Sequence, residues 1–253
     1  MIELKKLSAG YGKSAILEGI DVTLEKGKLT VLAGVNGSGK STLIKTVAGI
    51  IPSLGGEISV DGETLSSLSP KARAKKISYL SQGRSVPDMT VGELALCGRF
   101  PHLSFPRVYS EKDKRIAAEK MEQLSISHLK ECHLSALSGG MRQKAYVAMA
   151  LAQESDYILL DEPTTYLDIA HQIELMDILK ALAKSGKGVI AVLHDLPLAM
   201  NYADEVAIIG DGTVKMKASP DEILGSGIIK TIFGVNVART EKNDGYLYYT
   251  EKK

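Results

Sequence analysis

Gly34-Val35-Asn36-Gly37-Ser38-Gly39-Lys40-Ser41, followed by Thr42, is the stretch richest in chemical meaning. Glycines let a backbone wrap around an anion, because they accept positive φ and carry no side chain. The N–H groups of such a loop, and of the helix it opens, point at the anion, and the helix dipole adds to the attraction. Gly34, Asn36, Gly37, Ser38 and Gly39 are therefore expected to cradle a chain of phosphates. Lys40 is expected to reach its β- and γ-phosphates, and the Ser41 hydroxyl to bind Mg²⁺. Thr42 is placed for a further phosphate hydrogen bond. At ordinary residue usage a chain of this length carries roughly 0.01 such matches by chance. A second stretch, Tyr157-Ile158-Leu159-Leu160-Asp161-Glu162-Pro163, is an apolar run ending in two acids. Asp161 suits Mg²⁺, and Glu162 suits orienting or deprotonating an attacking water. A third, Leu137-Ser138-Gly139-Gly140-Met141-Arg142-Gln143, opens a helix and offers a second anion-binding end.

These residues need a particular scaffold. A short apolar strand over 29–33 must feed the first loop, and a helix over about 39–49 must follow it. Residues 157–160 read as a central strand covered on both faces. In such sheets ligands bind beyond the carboxyl ends of the strands, which would bring Asp161 and Glu162 to the phosphate. Strand-like stretches lie at 2–7, 16–24, 77–80, 188–193 and 206–209. Asp61-Gly62 and Asp211-Gly212 mark hairpin turns. Ser69-Pro70 starts a short basic helix, and Thr90 with Glu93 has capping-box spacing, with Ser110 and Asp113 a weaker echo. Residues 86–153 read as a helical insertion, 169–183 as a helix, and Ser219-Pro220-Asp221-Glu222 as the cap of a last helix. Strands alternating with helices predict an α/β fold with a mostly parallel sheet, an antiparallel β part near the N-terminus and the helical insertion.

The 253 residues fit one or two domains. Lys plus Arg number 31 and Asp plus Glu 30, a net charge of +1 that favours no nucleic-acid partner. The longest apolar run, 145–152, is far short of the ~20 residues of a membrane span. Residues 1–12 lack the apolar core of a secretory signal. Cys97 and Cys132 can build neither a disulfide framework nor a metal cage. A soluble, cytosolic protein is expected.

A phosphate loop, a Ser-Gly-Gly helix start and Asp-Glu at a strand end, in that order, resemble the ATP-binding cassette (ABC) ATPases over essentially the whole chain. The resemblance implies one P-loop ATPase domain. Its nucleotide-binding core would span 1–85 and 154–215, its helical subdomain 86–153, and a C-terminal extension 216–253. Ser138, Gly139 and Gly140 match the family's signature loop, and Met141 departs from its more usual Gln. That loop would contact ATP held by a partner subunit in a head-to-tail homodimer. Tyr11 matches the aromatic residue that stacks on adenine. Gln82 matches the glutamine that contacts Mg²⁺ and water and senses the membrane partner. Asp168 matches the loop that crosses the dimer interface, and His194 the switch histidine at the γ-phosphate. Lys40, Gln82, Glu162 and His194 would then be catalytic, and Ser41, Gln82 and Asp161 would hold the metal.

Within that family, Cys97-Gly98-Arg99-Phe100-Pro101-His102-Leu103 and residues 148–153, 162–169 and 232–235 resemble the ATPases of importers for iron–siderophore, haem and cobalamin. This implies a peripheral subunit on the cytoplasmic face of the cell membrane. Its partners would be a polytopic permease and, indirectly, an extracytoplasmic substrate-binding protein. The docking face is expected near 86–108, with Arg99 at the permease contact. A cassette working with soluble partners, as in iron–sulfur assembly, would carry the same catalytic residues. Asp161, Glu162 and His194 together argue against a regulatory nucleotide-binding module without turnover, and the neutral charge and absence of long insertions argue against a nucleic-acid repair cassette.

Overall fold

The computed structural model describes residues 1–83, 86–242 and 245–251. Its elements run β1 (Ile2–Tyr11), β2 (Ser14–Leu24), β3 (Leu29–Ala33), α1 (Lys40–Val47), β4 (Ser53–Val60), β5 (Glu63–Thr64), α2 (Pro70–Lys76) and β6 (Ile77–Leu80). The helical stretch follows as α3 (Val91–Cys97), α4 (Glu111–Gln123) and α5 (Gly139–Ala152). The chain returns to the sheet with β7 (Tyr157–Asp161), α6 (Ile169–Lys184), β8 (Gly188–Val192), α7 (Leu196–Tyr202), β9 (Glu205–Gly210) and β10 (Thr213–Ala218). It closes with α8 (Pro220–Ser226), α9 (Ile228–Phe233), β11 (Asn236–Lys242) and β12 (Gly245–Glu251).

Six strands form the main sheet in the order β10-β9-β3-β8-β7-β6, parallel except for β10 on its edge. Every residue of β3, β7 and β8 is buried, as expected of strands covered on both faces. The period-2 alternation of side chains then splits the interior in two. Val31, Ile158, Leu160, Val189 and Ala191 face the helices α3–α7, while Leu32, Leu159, Ile190 and Ala207 face α1 and the second sheet. That second sheet is antiparallel, in the order β2-β1-β4-β5. Asp61-Gly62 makes the β4–β5 turn with positive φ at both residues, which is what a tight hairpin requires.

Helix starts follow the sequence closely. Ser69 accepts from the Ala72 N–H with Pro70 in the first turn. Full capping boxes form at Thr90/Glu93, Ser110/Asp113 and Ser219/Glu222. The Ser110 box, the weaker sequence signal, is as complete as the others. The chain does not end on the helix capped by Ser219. Gly227, with φ of 73°, turns the chain into α9, and the β11–β12 hairpin follows. Tyr248 ties this hairpin to the body: its N–H donates to Asn201 Oδ1 and its hydroxyl to Asp221 Oδ1.

Arg99 corrects an expectation. It is 3% exposed and cannot meet a permease. Its Nε donates to Asp113 Oδ1 at 3.0 Å, and its Nη1 to Ala152 O and Glu154 Oε2, both at 2.7 Å. His102 joins the same structural job, its Nε2 lying 2.9 Å from Gln153 O. Gln153 in turn donates to Ile77 O at 2.9 Å, which fastens the helices to the start of β6. The exposed face of this segment carries Phe100, Phe105 and Val108 instead, with Arg107 stacked 5.1 Å over the Phe100 ring.

Candidate functional site

β3 ends at Ala33, and the loop that follows is shaped by two glycines. A Cβ at Gly34 would lie 2.4 Å from Ile209 O and 2.6 Å from Ser38 Oγ. Gly39 has φ of 98° and opens α1 with no side-chain cap. The first N–H groups of α1 are thus left to an outside acceptor. Ser38 Oγ is buried and makes no hydrogen bond, a cost that a phosphate oxygen would remove. Lys40 is buried, and its Nζ donates to Gly34 O at 2.8 Å and Val35 O at 2.9 Å. Burial lowers its pKa, opposed by the charges of Glu162 and Asp161.

The two acids at the end of β7 divide their work. Asp161 is 1% exposed and accepts from Ser41 Oγ at 2.8 Å and Tyr79 OH at 3.3 Å. Glu162 has φ of 51°, the left-handed region where a non-glycine residue is strained. It accepts from Gln82 Nε2 and from Thr165 Oγ1 at 3.2 Å, and His194 Nε2 lies 2.5 Å from its Oε1. An open cavity of about 500 Å³ is lined by Asn36, Lys40, Ser41, Gln82, Glu162 and His194. The residues expected at the phosphate from four separate stretches therefore share one space, with Gly37, Gly39 and Thr42 also on its wall.

The remaining expected residues lie around it. Tyr11 is half exposed at the end of β1, paired with Ser14, two residues from Ile16 on the cavity wall. Ser138 N-caps α5, its Oγ accepting from the Met141 N–H at 3.3 Å. Asp168 N-caps α6, accepting from the His171 N–H, and this bond chiefly holds its carboxyl below the usual range. Gly139 lines a smaller cavity of about 160 Å³ with Arg142 and Tyr166. Gln82 and Glu162 line both cavities. Gly140 is buried at the start of α5, against His171. Tyr79 and Thr165 were not anticipated. Each reaches a carboxylate through a neighbouring strand or turn, a relation that no linear motif carries.

This geometry would suit a polyphosphate, with a hydrogen-bonded acid beside it. The sequence matches the ABC transporter family over residues 17–165. The chain belongs to the ABC transporter family. A relative of this cassette is the iron(3+)-hydroxamate import ATP-binding protein of Bacillus subtilis, 38% identical over 93% of this chain and 88% of that protein. A solved chain described as an inward-facing conformation of a metal-chelate type ABC transporter aligns with TM-score 0.86 and 25% identity, covering 100% of this chain and 98% of that one. A dimeric post-hydrolysis cassette bound to ADP and Pi aligns with TM-score 0.75 and 25% identity, covering 87% of this chain and 99% of that one. The cassette is an ATPase. Among the described residues, no helix is long and apolar enough to cross a membrane, and no group of three or more His, Cys, Asp and Glu could hold a metal.

Proposed function

We propose that this cassette is the ATP-hydrolysing subunit of an importer for iron chelates of the siderophore class, with haem and cobalamin-type chelates as neighbouring cargoes. The arrangement around Glu162 carries the catalytic reading. One strained carboxylate accepts from Gln82 and Thr165 and faces His194, beside Lys40 and Ser41. Ser41 and Asp161 would hold Mg²⁺, with Gln82 within reach. Two or three protein groups suffice for this ion, because it takes the rest of its shell from phosphate and water. When bound, it neutralises charge on the transferring phosphoryl group.

Lys40 leaves its two carbonyl partners to hold the β- and γ-phosphates. Backbone N–H groups of residues 34–42 fix the chain of phosphates in line. Glu162 orients a water and takes its proton, and His194 keeps the carboxylate aimed and supports the γ-phosphate. Tyr11 covers the adenine. Gly139, between Ser138 and Gly140, lines a cavity that holds no residue of the phosphate loop, which supports this loop's acting on the nucleotide of a second copy. Asp168 would cross between the copies.

The Glu162→Gln variant is expected to lose ~10²–10⁴ in turnover while ATP binding survives. A wild-type rate would refute the assignment. The same variant, tagged and trapped with ATP and Mg²⁺ in detergent-solubilised native membranes, is expected to carry a polytopic permease with it, docked at residues 86–108. Recovery of soluble partners alone would turn the reading toward an assembly ATPase. The substrate-binding protein and the position on the cytoplasmic membrane face follow from an importer.

A further inference from the structure

His171, in the first turn of α6, has a part in no step above. Its backbone N–H donates to Asp168 Oδ1 at 2.9 Å, and its ring Nδ1 lies 2.8 Å from both oxygens of that carboxylate. A carboxylate only accepts, so Nδ1 carries the proton and the ring orientation is fixed. The opposite edge of the ring meets Gly140. A Cβ at Gly140 would lie 2.2 Å from His171 Cδ2 and 2.7 Å from its Nε2. No side chain fits there, so the imidazole packs directly on the backbone that opens α5.

Two further contacts flank this one, one to α6 and one to the loop before α6. Position 144 is one turn beyond 140 on the same face of α5. There Lys144 Nζ, on a residue 8% exposed, meets Glu174 Oε1 of α6 at 2.6 Å. On the other side of Gly140, a Cβ at Gly139 would touch Tyr166 O at 3.4 Å. The start of α5 therefore meets the stretch 166–174 at three successive places, Tyr166 in the loop and His171 and Glu174 on α6, with the His171 ring in the middle.

We infer that His171 is a positioning residue that locks the Ser138–Gly140 loop to the loop ending at Asp168. The donors offered to the partner's nucleotide and the segment that crosses the dimer then move as one block. The inference rests on the proposed dimeric ATP site. A displacement of about 1 Å at reacting groups can cost ~10²-fold in rate, so the lock acts on kcat.

The test is a mutant cycle in the full-length chain, reading ATP turnover, KM and equilibrium binding of a fluorescent ATP analogue. His171→Ala is expected to lower kcat ~10–100-fold, with KM and analogue binding unchanged. Gly140→Ala is expected to fall further, because its methyl has no room against the ring. In H171A/G140A the methyl occupies the vacated space, and turnover returns to the level of H171A. Close pairs are non-additive in this way. Losses that multiply in the double variant overturn the inference. H171A at wild-type kcat, beside an E162Q variant that has lost turnover, overturns the lock alone and leaves the catalytic reading standing. E162Q at the wild-type rate overturns both. Should H171A fail to fold, His171→Asn keeps a donor toward Asp168 but withdraws the ring from Gly140. A reduced kcat with intact analogue binding then supports the lock, and a wild-type kcat refutes it.

Discussion

Asp161 and Glu162 are neighbours, and on a regular strand neighbours point to opposite faces. The positive φ at Glu162 breaks that alternation. Asp161 can then meet Ser41 while Glu162 meets Gln82 and His194. The residue types announced a metal ligand and a base, but the strain that would let both serve one phosphate is a matter of backbone. Arg99 teaches the converse. It stands in a segment that reads as docking surface, yet its guanidinium is sealed against Asp113, Glu154 and Ala152. Removing one partner of a buried ion pair costs ~3–5 kcal/mol. Arg99→Ala is therefore expected to lower the urea midpoint markedly, with no selective effect on permease recovery once folded protein is compared. A stable R99A chain would show the network to be dispensable. Burial of this kind is invisible to a motif, as are Tyr79 and His171, whose partners lie on other elements.

At the scale of elements, local chemistry was enough to place most helix starts. Thr90, Ser110 and Ser219 sit three residues before an acid, and each closes a reciprocal pair of hydrogen bonds. Thr90→Ala should cost ~1 kcal/mol of stability, read by denaturant unfolding. α4 carries more than a cap. Asp113 accepts first from Ser110 and then from Arg99, and its pKa is held down at about 2 against an ordinary 3.8. A depressed folded-state pKa stabilises above the unfolded value and is lost as pH falls through the folded one. Thermal stability should therefore decline between about pH 4 and pH 2. Asp113→Asn should be less stable than wild type at neutral pH and should lack that part of the acid decline. Equal acid sensitivity in the variant would refute the link. The C-terminal hairpin was not legible, since its anchoring depends on Asn201 and Asp221, far off in sequence from Tyr248.

For the whole molecule, the parallel sheet divides two interiors, one under the antiparallel sheet and one under the helices. The phosphate loop and β7 lie along that division, while the Ser138–Gly140 loop lies on the helical side. The alternation of strands and helices made this architecture readable, because each βα unit declares itself locally. Which half would serve a second copy came from the resemblance alone, not from residue spacing, because it depends on where α5 begins in space. The E162Q chain is expected to sediment as a monomer without nucleotide and as a dimer with ATP and Mg²⁺. A monomer under both conditions would remove the shared site. The buried ammonium of Lys40 adds a selectivity rule. With its two hydrogen bonds to Gly34 O and Val35 O, the loop holds a cation of its own. A nucleotide that took Lys40 from those carbonyls would need more than one phosphate to do so, which a nucleoside monophosphate does not bring. AMP is thus expected to bind far more weakly than ATP, before any contact to the base is made.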